Sequence, residues 1–175
     1  GTFLDQIVQY DPKKDSVVIK SGVLPTPRDT QSCVENSQTH KIYCFGGRND
    51  GTNELLDEIT EYDPKTDIII IKSGVLPTPR EALSCAEDSQ THKMYCFGGF
   101  DNNLLDQITE YDPSTDTLVT QSAVLPTERN QLSCAEDSQT HKIYCFGGHD
   151  GGYFDEIVEY TPPKGSKDYQ WIQIG

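Results

Sequence analysis

The most reactive side chains in this 175-residue chain are six cysteines, which recur as three pairs with the same separation of 11 residues within each pair. The pairs are Cys33 with Cys44, Cys85 with Cys96, and Cys134 with Cys145. If each pair flanks a hairpin turn, its two thiols share one face of antiparallel strands, at a Cα separation that permits a disulfide. Three disulfides would indicate an oxidising compartment, and therefore an extracellular or cell-surface location. In the alternative, the cysteines pack as free thiols and the location is cytoplasmic.

Metal or catalytic chemistry would require side chains that converge on one site. A zinc site is disfavoured because no Cys-x-x-Cys spacing occurs. His40, His92 and His141 each precede a lysine at a predicted turn, and turns of separate units are too far apart to share one ion. The loop 49–54 has oxygen ligands that suit calcium, but it lacks the EF-hand spacing. The sequence therefore predicts no catalytic residue, no metal site and no cofactor, with calcium as the alternative.

The paired cysteines and the three histidines at turns belong to a repeat of roughly fifty residues. The segment Leu-Pro-Thr-Pro-Arg begins at Leu24 and returns at Leu76 and, with one change, at Leu125, so the steps are 52 and 49 residues. Tyr-Cys-Phe-Gly-Gly follows in each unit and begins at Tyr43, Tyr95 and Tyr144. A tyrosine before Asp-Pro or Thr-Pro occurs at Tyr10, Tyr62, Tyr111 and Tyr160. One half of the unit is therefore present four times, and the half that contains cysteine is present three times.

Each unit is predicted to form two β-hairpins. Alternating segments at 32–35 and 41–45 flank a polar turn. Segments at 57–62 and 68–72 flank an Asp-Pro turn. No stretch keeps a helical period, and glycine or proline recurs too often for a long helix. Because one four-stranded sheet cannot bury both faces alone, the units are expected to stack around an axis.

Composition excludes some classes of function. The hydrophobic fraction is 34%, which favours several thin layers over one thick core. The 28 acidic residues exceed the 14 basic residues and give a net charge of -14, so nucleic acid is not expected as a partner. The longest apolar run, at 68–71, is far shorter than the roughly 20 residues that span a bilayer, so no membrane span is predicted.

The repeated motifs resemble those of the kelch family. The Gly-Gly pair after an aromatic strand, the Tyr-Asp-Pro segment and the Leu-Pro-x-x-Arg linker all match the kelch repeat. The resemblance implies an all-β fold of kelch-type β-propeller blades, each with four antiparallel strands. It places the Ser-Cys strand of each blade innermost and the Ile/Val strand outermost. The kelch tryptophan is present only as Trp171, and the other copies have Val17, Ile69 and Leu118.

The repeats divide one continuous domain into an outer half-blade at 1–22 and blades at 23–74, 75–123 and 124–175. Closed kelch propellers commonly have about six or seven blades, so the resemblance implies an incomplete ring. Apolar sheet faces and edges would then be exposed at both ends. They would be covered either by further blades of a longer chain or by self-association.

In kelch proteins that resemble this chain, the linkers and the loops after Gly-Gly share one face, which is a common place for binding. The partner-binding residues predicted there are Arg28, Arg48, Asn49, Asp50, Arg80, Phe100, Asp101, Asn102, Arg129, His149 and Asp150. The three repeated arginines have an alternative role, which is to pair with a carboxylate or carbonyl group of their own blade. The loop residues that vary between repeats are therefore better candidates for specificity.

Nearly every reactive residue is repeated, which favours architecture over a single preorganised active site. The predicted function is a non-catalytic module that binds a protein or glycan partner, or a structural subunit that completes a propeller by association with other chains. The alternative is part of a carbohydrate-active or copper-radical-oxidase-like enzyme, because some kelch-like propellers have those activities.

Overall fold

The computed structural model describes residues 4–49, 51–163 and 171–174, the last range by its backbone. Every regular element in these ranges is a β strand. No helix there could cross a bilayer. The strands are β1 (Gln6–Asp11), β2 (Ser16–Val23), β3 (Arg28–Asp29), β4 (Ser32–Glu35), β5 (Ile42–Phe45), β6 (Arg48–Asn49), β7 (Glu54–Leu55), β8 (Glu58–Asp63), β9 (Ile68–Val75), β10 (Ser84–Asp88), β11 (Lys93–Phe97), β12 (Gln107–Asp112), β13 (Thr117–Val124), β14 (Ser133–Asp137), β15 (Lys142–Phe146), β16 (Ile157–Tyr160) and β17 (Trp171–Ile174).

Antiparallel pairing groups these strands into consecutive sheets. β1 and β2 form a two-stranded half-blade. Blade 1 has the order β4-β5-β8-β9, blade 2 the order β10-β11-β12-β13, and blade 3 the order β14-β15-β16-β17. The predicted all-β fold with four-stranded antiparallel blades is confirmed. The described sheets form no closed ring.

The strand register confirms the predicted hairpins. In blade 1, Cys33 pairs with Cys44 and Val34 with Tyr43. The cysteines form three cross-strand disulfides, Cys33–Cys44, Cys85–Cys96 and Cys134–Cys145, with Cα–Cα distances of 4.0, 4.0 and 4.1 Å. The repeated tyrosine pairs in turn with Val17, Ile69, Leu118 and Trp171. These four residues therefore occupy one position of the repeat.

Two features of blade 1 go beyond the prediction. Its outer strand, β9, continues to Val75 rather than ending at Lys72. In addition, β3, β6 and β7 form a small three-stranded sheet. This sheet arises because Arg28 in the linker pairs with Asn49 in the loop after Gly-Gly. Each strand of this sheet has only two residues, so its sequence shows no alternating pattern from which the pairing could be predicted.

Aromatic rings fill the space between neighbouring blades. Tyr111 of blade 2 packs on Tyr43 and Phe45 of blade 1, with ring centroids 5.8 and 5.7 Å apart. Tyr160 of blade 3 packs in the same way on two aromatic residues of β11, at 5.4 Å from each. Ring pairs at these separations stabilise the fold beyond the burial of their area. The core is thus a series of layers between blades.

The inner strands of neighbouring blades are joined by serine hydroxyl groups. The Ser32 hydroxyl of blade 1 accepts the N–H of Cys85 in blade 2 at 2.9 Å. The Ser84 hydroxyl of blade 2 accepts the N–H of Cys134 in blade 3, also at 2.9 Å. These contacts between Ser-Cys strands agree with their expected place nearest the axis.

The outer strands are joined through aspartates at the Asp-Pro turns. Asp116 of blade 2 accepts hydrogen bonds from the N–H and hydroxyl of Ser73 in blade 1, at 2.9 and 2.5 Å, and from the hydroxyl of Tyr111 at 2.8 Å. Burial alone would raise the pKa of Asp116, but these hydrogen bonds outweigh it and hold the pKa well below its ordinary value. Asp67 makes the equivalent contacts with Ser21 and Tyr62.

Candidate partner-binding face

The Gly-Gly pair allows each loop to lie against the linker of the next blade. Gly46 has a φ of +61°, and a Cβ added to it would come within 2.4 Å of the Arg80 carbonyl oxygen. Gly47 donates its N–H to that same oxygen at 2.9 Å, and Arg80 donates its N–H to Leu56 at 3.0 Å. Glycine tolerates both this backbone conformation and this close approach. The loop of blade 1 and the linker of blade 2 are therefore fixed side by side.

Two of the three repeated arginines are buried and paired with glutamate. Arg28 donates to the carbonyl oxygen of Gly46 at 3.3 Å and to the carboxylate of Glu58 at 2.5 Å. Arg129 repeats this arrangement with Glu156. Both arginine residues are at most 5% exposed. This geometry favours the alternative in which each arginine pairs within its own blade.

Arg80 departs from this pattern because Gln107 stands where the other two blades have glutamate. Its Nη2 donates to the side chains of Gln107 and Thr78, at 2.9 Å each, and it forms no ion pair with any residue that the structure describes. Burial lowers the pKa of Arg80, and the charge of nearby Asp101 opposes that shift. Arg80 is thus a buried cation that interacts with a loop carboxylate instead of one in its own sheet.

A cleft of about 600 Å³ lies on this face between blades 1 and 2. Its lining comes from the loop of blade 1, the linker of blade 2 and the loop of blade 2, with Asn53, Glu54, Leu55, Leu56, Thr78, Pro79, Asp101 and Asn102. The loop of blade 1 is three residues longer than that of blade 2, which accounts for the unequal steps of the repeat. The longer loop includes the β6–β7 hairpin, which forms one wall.

The lining of this cleft combines apolar and acidic groups. Leu55 and Leu56 are half-buried, Glu54 is exposed and Asp101 is half-buried. No lysine or arginine is among the described residues that line the cleft. Because opposite charges complement each other across an interface, this lining suits a ligand with cationic and apolar groups.

Arg48 and Phe100 connect loops to linkers rather than lining the cleft. Arg48 is half-buried and lies 3.3 Å from the carboxylate of Asp29 and 3.6 Å from that of Glu81. Phe100 forms backbone bridges with Glu81 and Leu104. Both residues therefore hold the loops in place on the predicted face.

The other predicted residues of this face are also separate from the cleft. His149 is bridged through its backbone to Asn130, and its ring lies 5.2 Å from that of Tyr153. Asn49 and Asp150 accept hydrogen bonds from N–H groups within their own loops. Asp50 lies outside the described residues. Asp101 and Asn102 are thus the two predicted residues that line the cleft.

Four further residues line the cleft that the sequence does not predict there, namely Thr78, Pro79, Leu55 and Leu56. The first two belong to the repeated linker, and repetition favours an architectural role. The available signal was the difference between steps of 52 and 49 residues, which locates an insertion in the first loop.

Three side chains that could hold a metal ion meet at the hairpin turns between blades 2 and 3. One ligand atom each of Asp88, Glu136 and His141 lies within 4.8 Å of the others. These groups already bond to protein atoms, because Glu136 accepts the N–H of Ser89 at 2.8 Å and lies 3.2 Å from the Nδ1 of His141. The histidines of blades 1 and 2 likewise contact a glutamate of their own blade. The arrangement stabilises the turns.

Comparison with known proteins agrees with the geometry. The family model of the KLHDC2/KLHL20/DRC7 Kelch-repeats domain matches residues 3–174. The solved structure of YjhT has a similar fold, with a TM-score of 0.76 and 14% sequence identity over 97% of this chain. The matched region is 58% of the YjhT chain, so this chain spans little more than half of that protein. Among curated proteins, no relative matches.

Proposed function

The chain belongs to the family of kelch-repeat domains, and from this premise we propose that it is a non-catalytic module that binds a protein partner. Kelch repeats generally mediate protein interactions. The observation that carries the proposal is the cleft between blades 1 and 2, whose walls come from loops that differ between the repeats. Loops held on a rigid scaffold commonly provide recognition.

The carboxylates that line the cleft favour a partner with basic side chains. Glu54 and Asp101 contribute carboxylates, and the net charge of -14 attracts cationic partners from a distance. Leu55 and Leu56 supply apolar contact area beside these carboxylates. The partner is therefore a protein segment that presents lysine or arginine next to an apolar side chain.

The positions of the reactive residues support a non-catalytic role. All six cysteines are in disulfides. Tyr43, Tyr95 and Tyr144 donate their hydroxyl groups to glutamates of their own blades. The cysteine and tyrosine side chains that a copper-radical oxidase would need are thus engaged in disulfides and hydrogen bonds within the blades. The enzymatic alternative and a glycan ligand stay predictions that these contacts do not test.

The disulfides also support an extracellular or cell-surface location. Disulfides persist in oxidising compartments and are rare where glutathione keeps thiols reduced. Each blade has one, at the same position of its inner hairpin. We therefore place the binding module outside the cytoplasm.

A selection from a displayed library of random peptides tests the proposed site. Sequences that bind the unmodified chain should be enriched in lysine or arginine beside apolar residues. The double variant Glu54→Lys/Asp101→Lys should lose at least about tenfold in affinity for them, since two attractive contacts become repulsive.

The matched control is Glu128→Lys, which reverses one exposed charge in the linker of blade 3, away from the cleft. It should keep the affinity of the unmodified chain. Selected peptides without basic residues, or equal binding by the double variant, would refute the assignment.

A further inference from the structure

The inner hairpins of blades 2 and 3 bring together three side chains that can bind a metal ion. One ligand atom each of Asp88, Glu136 and His141 lies within 4.8 Å of the others. Asp88 ends the first strand of blade 2, whereas Glu136 and His141 belong to the inner hairpin of blade 3. We call these three residues the turn triad. Histidines of separate blades do not meet, but one histidine does meet carboxylates from two blades.

The turn of blade 3 fixes the position of the imidazole. The N–H of His141 donates to the carbonyl oxygen of Asp137 at 2.7 Å, and His141 has a φ of +57°. Histidine is one of the few residues other than glycine that are enriched in this left-handed region. The ring lies beside its own strand, with Nδ1 at 3.2 Å from the carboxylate of Glu136. Ser89 of blade 2 holds that carboxylate by donating its N–H at 2.8 Å and its hydroxyl at 3.0 Å.

The separations within the turn triad match the coordination shell of a tetrahedral ion. Ligand atoms around zinc lie about 3.4 Å apart, because Zn–N and Zn–O bonds are about 2.0–2.2 Å long. Nδ1 of His141 lies 3.2 Å from the carboxylate of Glu136 and 3.8 Å from that of Asp88. The hydroxyl of Ser89 lies 3.3 Å from the same Nδ1, next to the remaining corner of the tetrahedron. Small side-chain rotations therefore suffice to place the three ligands around one ion.

The turn triad has negative charge that no basic side chain neutralises. Asp88 is 3% exposed and Glu136 is half-buried. Within the part of the chain that the structure describes, no lysine or arginine lies within ion-pair distance of either carboxylate. The neighbouring ammonium group of Lys93 is paired with Glu110 at 2.5 Å. Because buried charges are costly unless they are paired or coordinate a metal, a cation here would stabilise the interface.

The interface between blades 1 and 2 provides a comparison in which one ligand of the set is missing. Asn36 stands there at the position of Asp88. Nδ1 of His92 lies 3.2 Å from the carboxylate of Glu87, the same separation as in blade 3. The N–H of Ser37 donates to that carboxylate at 2.9 Å, as its counterpart does in blade 2. The two interfaces thus differ mainly in whether a carboxylate or an amide stands at this position.

The negative charge of Asp88 is not needed to form its turn. The amide oxygen of Asn36 accepts two N–H groups and one hydroxyl of its own turn, at 3.2, 2.9 and 3.0 Å. Asp88 accepts one N–H and one hydroxyl in the equivalent turn, at 3.0 and 2.7 Å. Because a neutral amide makes the same local hydrogen bonds, the carboxylate of Asp88 adds a buried charge that the turn does not require. That charge faces Nδ1 of His141 in the next blade.

We propose that the turn triad binds a zinc ion, with Nδ1 of His141 and one carboxylate oxygen each of Glu136 and Asp88 as ligands. The imidazole favours zinc over calcium, because calcium takes oxygen ligands. His141 coordinates as the tautomer that carries its proton on Nε2. Because the ligands come from two blades, the ion joins blade 2 to blade 3. This site is separate from the cleft on the loop face and does not depend on the proposed function.

Isothermal titration calorimetry with zinc and the metal-free 175-residue chain tests the proposal. The cysteines do not compete for zinc, because all six are in disulfides. The unmodified chain should bind one zinc ion. Asp88→Asn reproduces the residue set of the other interface and should lower the affinity at least about tenfold, since a charged ligand is lost. His141→Gln should have the same effect.

His92→Gln is the matched control, because it replaces the equivalent histidine at the interface that lacks the third carboxylate. It should retain one zinc ion with the affinity of the unmodified chain. Asn36→Asp completes the set at that interface, so this variant should bind two zinc ions. Adding His92→Gln to Asn36→Asp should return the number to one.

Thermal denaturation provides an independent readout of the contact between blades. Zinc at about 100 times its dissociation constant should raise the Tm of the unmodified chain by at least about 5 °C, and should leave that of Asp88→Asn nearly unchanged. Near-ultraviolet circular dichroism checks that the variants are folded. Asp88→Asn should keep the fold, because Asn36 already occupies the equivalent position.

Four results would overturn the proposal. The first is that the unmodified chain binds no zinc, and the second is that binding survives both Asp88→Asn and His141→Gln. The third is a single zinc ion in Asn36→Asp, which would show that the third carboxylate does not create a site. The fourth is calcium that displaces zinc from the turn triad, since a site that prefers calcium would not use the imidazole.

Discussion

The interface between blades 1 and 2 differs from the contact between the half-blade and blade 1 in what packs against a repeated tyrosine. Tyr111 has no exposed surface and lies under Tyr43 and Phe45. Tyr62 stands at the same position and is 6% exposed, and it lines an apolar pocket together with Ile7 and Ile42. The difference teaches that residues shared by all repeats build the blades, whereas departures from the repeat locate the places where packing between blades differs.

The same distinction applies on the loop face. Arg28 and Arg129 are paired with glutamates of their own blades, and Arg80 is not. The cleft lies beside this exception, between a loop that is three residues longer than its counterpart and the linker that carries Arg80. The cleft thus lies where a carboxylate of the repeat is replaced by glutamine, at Gln107.

Replacing the two tyrosines by alanine should give the largest contrast. Tyr111→Ala removes a fully buried ring between blades 1 and 2 and should lower the free energy of unfolding by about 3–5 kcal/mol. Tyr62 is 6% exposed, but Tyr62→Ala opens onto an existing pocket and should cost less, about 2–3 kcal/mol. Urea denaturation monitored by circular dichroism measures both.

Tyr153→Ala serves as the control for these substitutions, because Tyr153 is 89% exposed and its loss should be within about 0.5 kcal/mol of zero. Equal losses for Tyr111→Ala and Tyr62→Ala would mean that Tyr62 is as well covered as Tyr111. The distinction between closed interface and open pocket would then be wrong.

Much of the fold could be predicted because it depends on local patterns. The turn at 37–40 fixes the pairing of Cys33 with Cys44, and the same argument applies to each repeat. The Asp-Pro turns likewise fix the outer hairpins. The position shared by Val17, Ile69, Leu118 and Trp171 followed from the spacing of the repeat, and the strand register agrees.

The binding face could be predicted only in part. Spacing located the loops, but it did not reveal that Glu58 is the carboxylate that pairs with Arg28. It also did not show that Thr78 and Pro79 line a cleft with Asp101, because that depends on how two blades pack side by side. The small sheet that contains β3 was missed for the same reason. Contacts between repeats do not follow the residue pattern within a repeat, so the sequence predicts them less well than contacts within one repeat.

Replacing the aspartates at the Asp-Pro turns should change the free energy of unfolding less than the tyrosine substitutions do, and by an amount that depends on pH. The folded-state pKa of Asp116 lies below the unfolded value of about 3.9, so its carboxylate contributes stability above that pH and loses it as the pH falls through the folded-state pKa. Asp116→Asn should lower the free energy of unfolding by about 1 kcal/mol at neutral pH. It should also reduce the acid dependence below about pH 4.

Asp15→Asn is the matched comparison in the half-blade. The Asp15 side chain accepts one hydrogen bond from the described residues, from Tyr10 at 2.9 Å, and no outer strand of another blade reaches it. Its effect on denaturation between pH 2 and pH 7 should be smaller than that of Asp116→Asn. Equal effects would show that the serine contacts between blades contribute little.

Hydrogen–deuterium exchange tests the central claim, that the half-blade is open where the complete blades are closed. In the free chain, amides of β1 should exchange faster than those of β8 and β12, which are paired on both sides. If β1 is already as protected as β8 in the free chain, the account is contradicted.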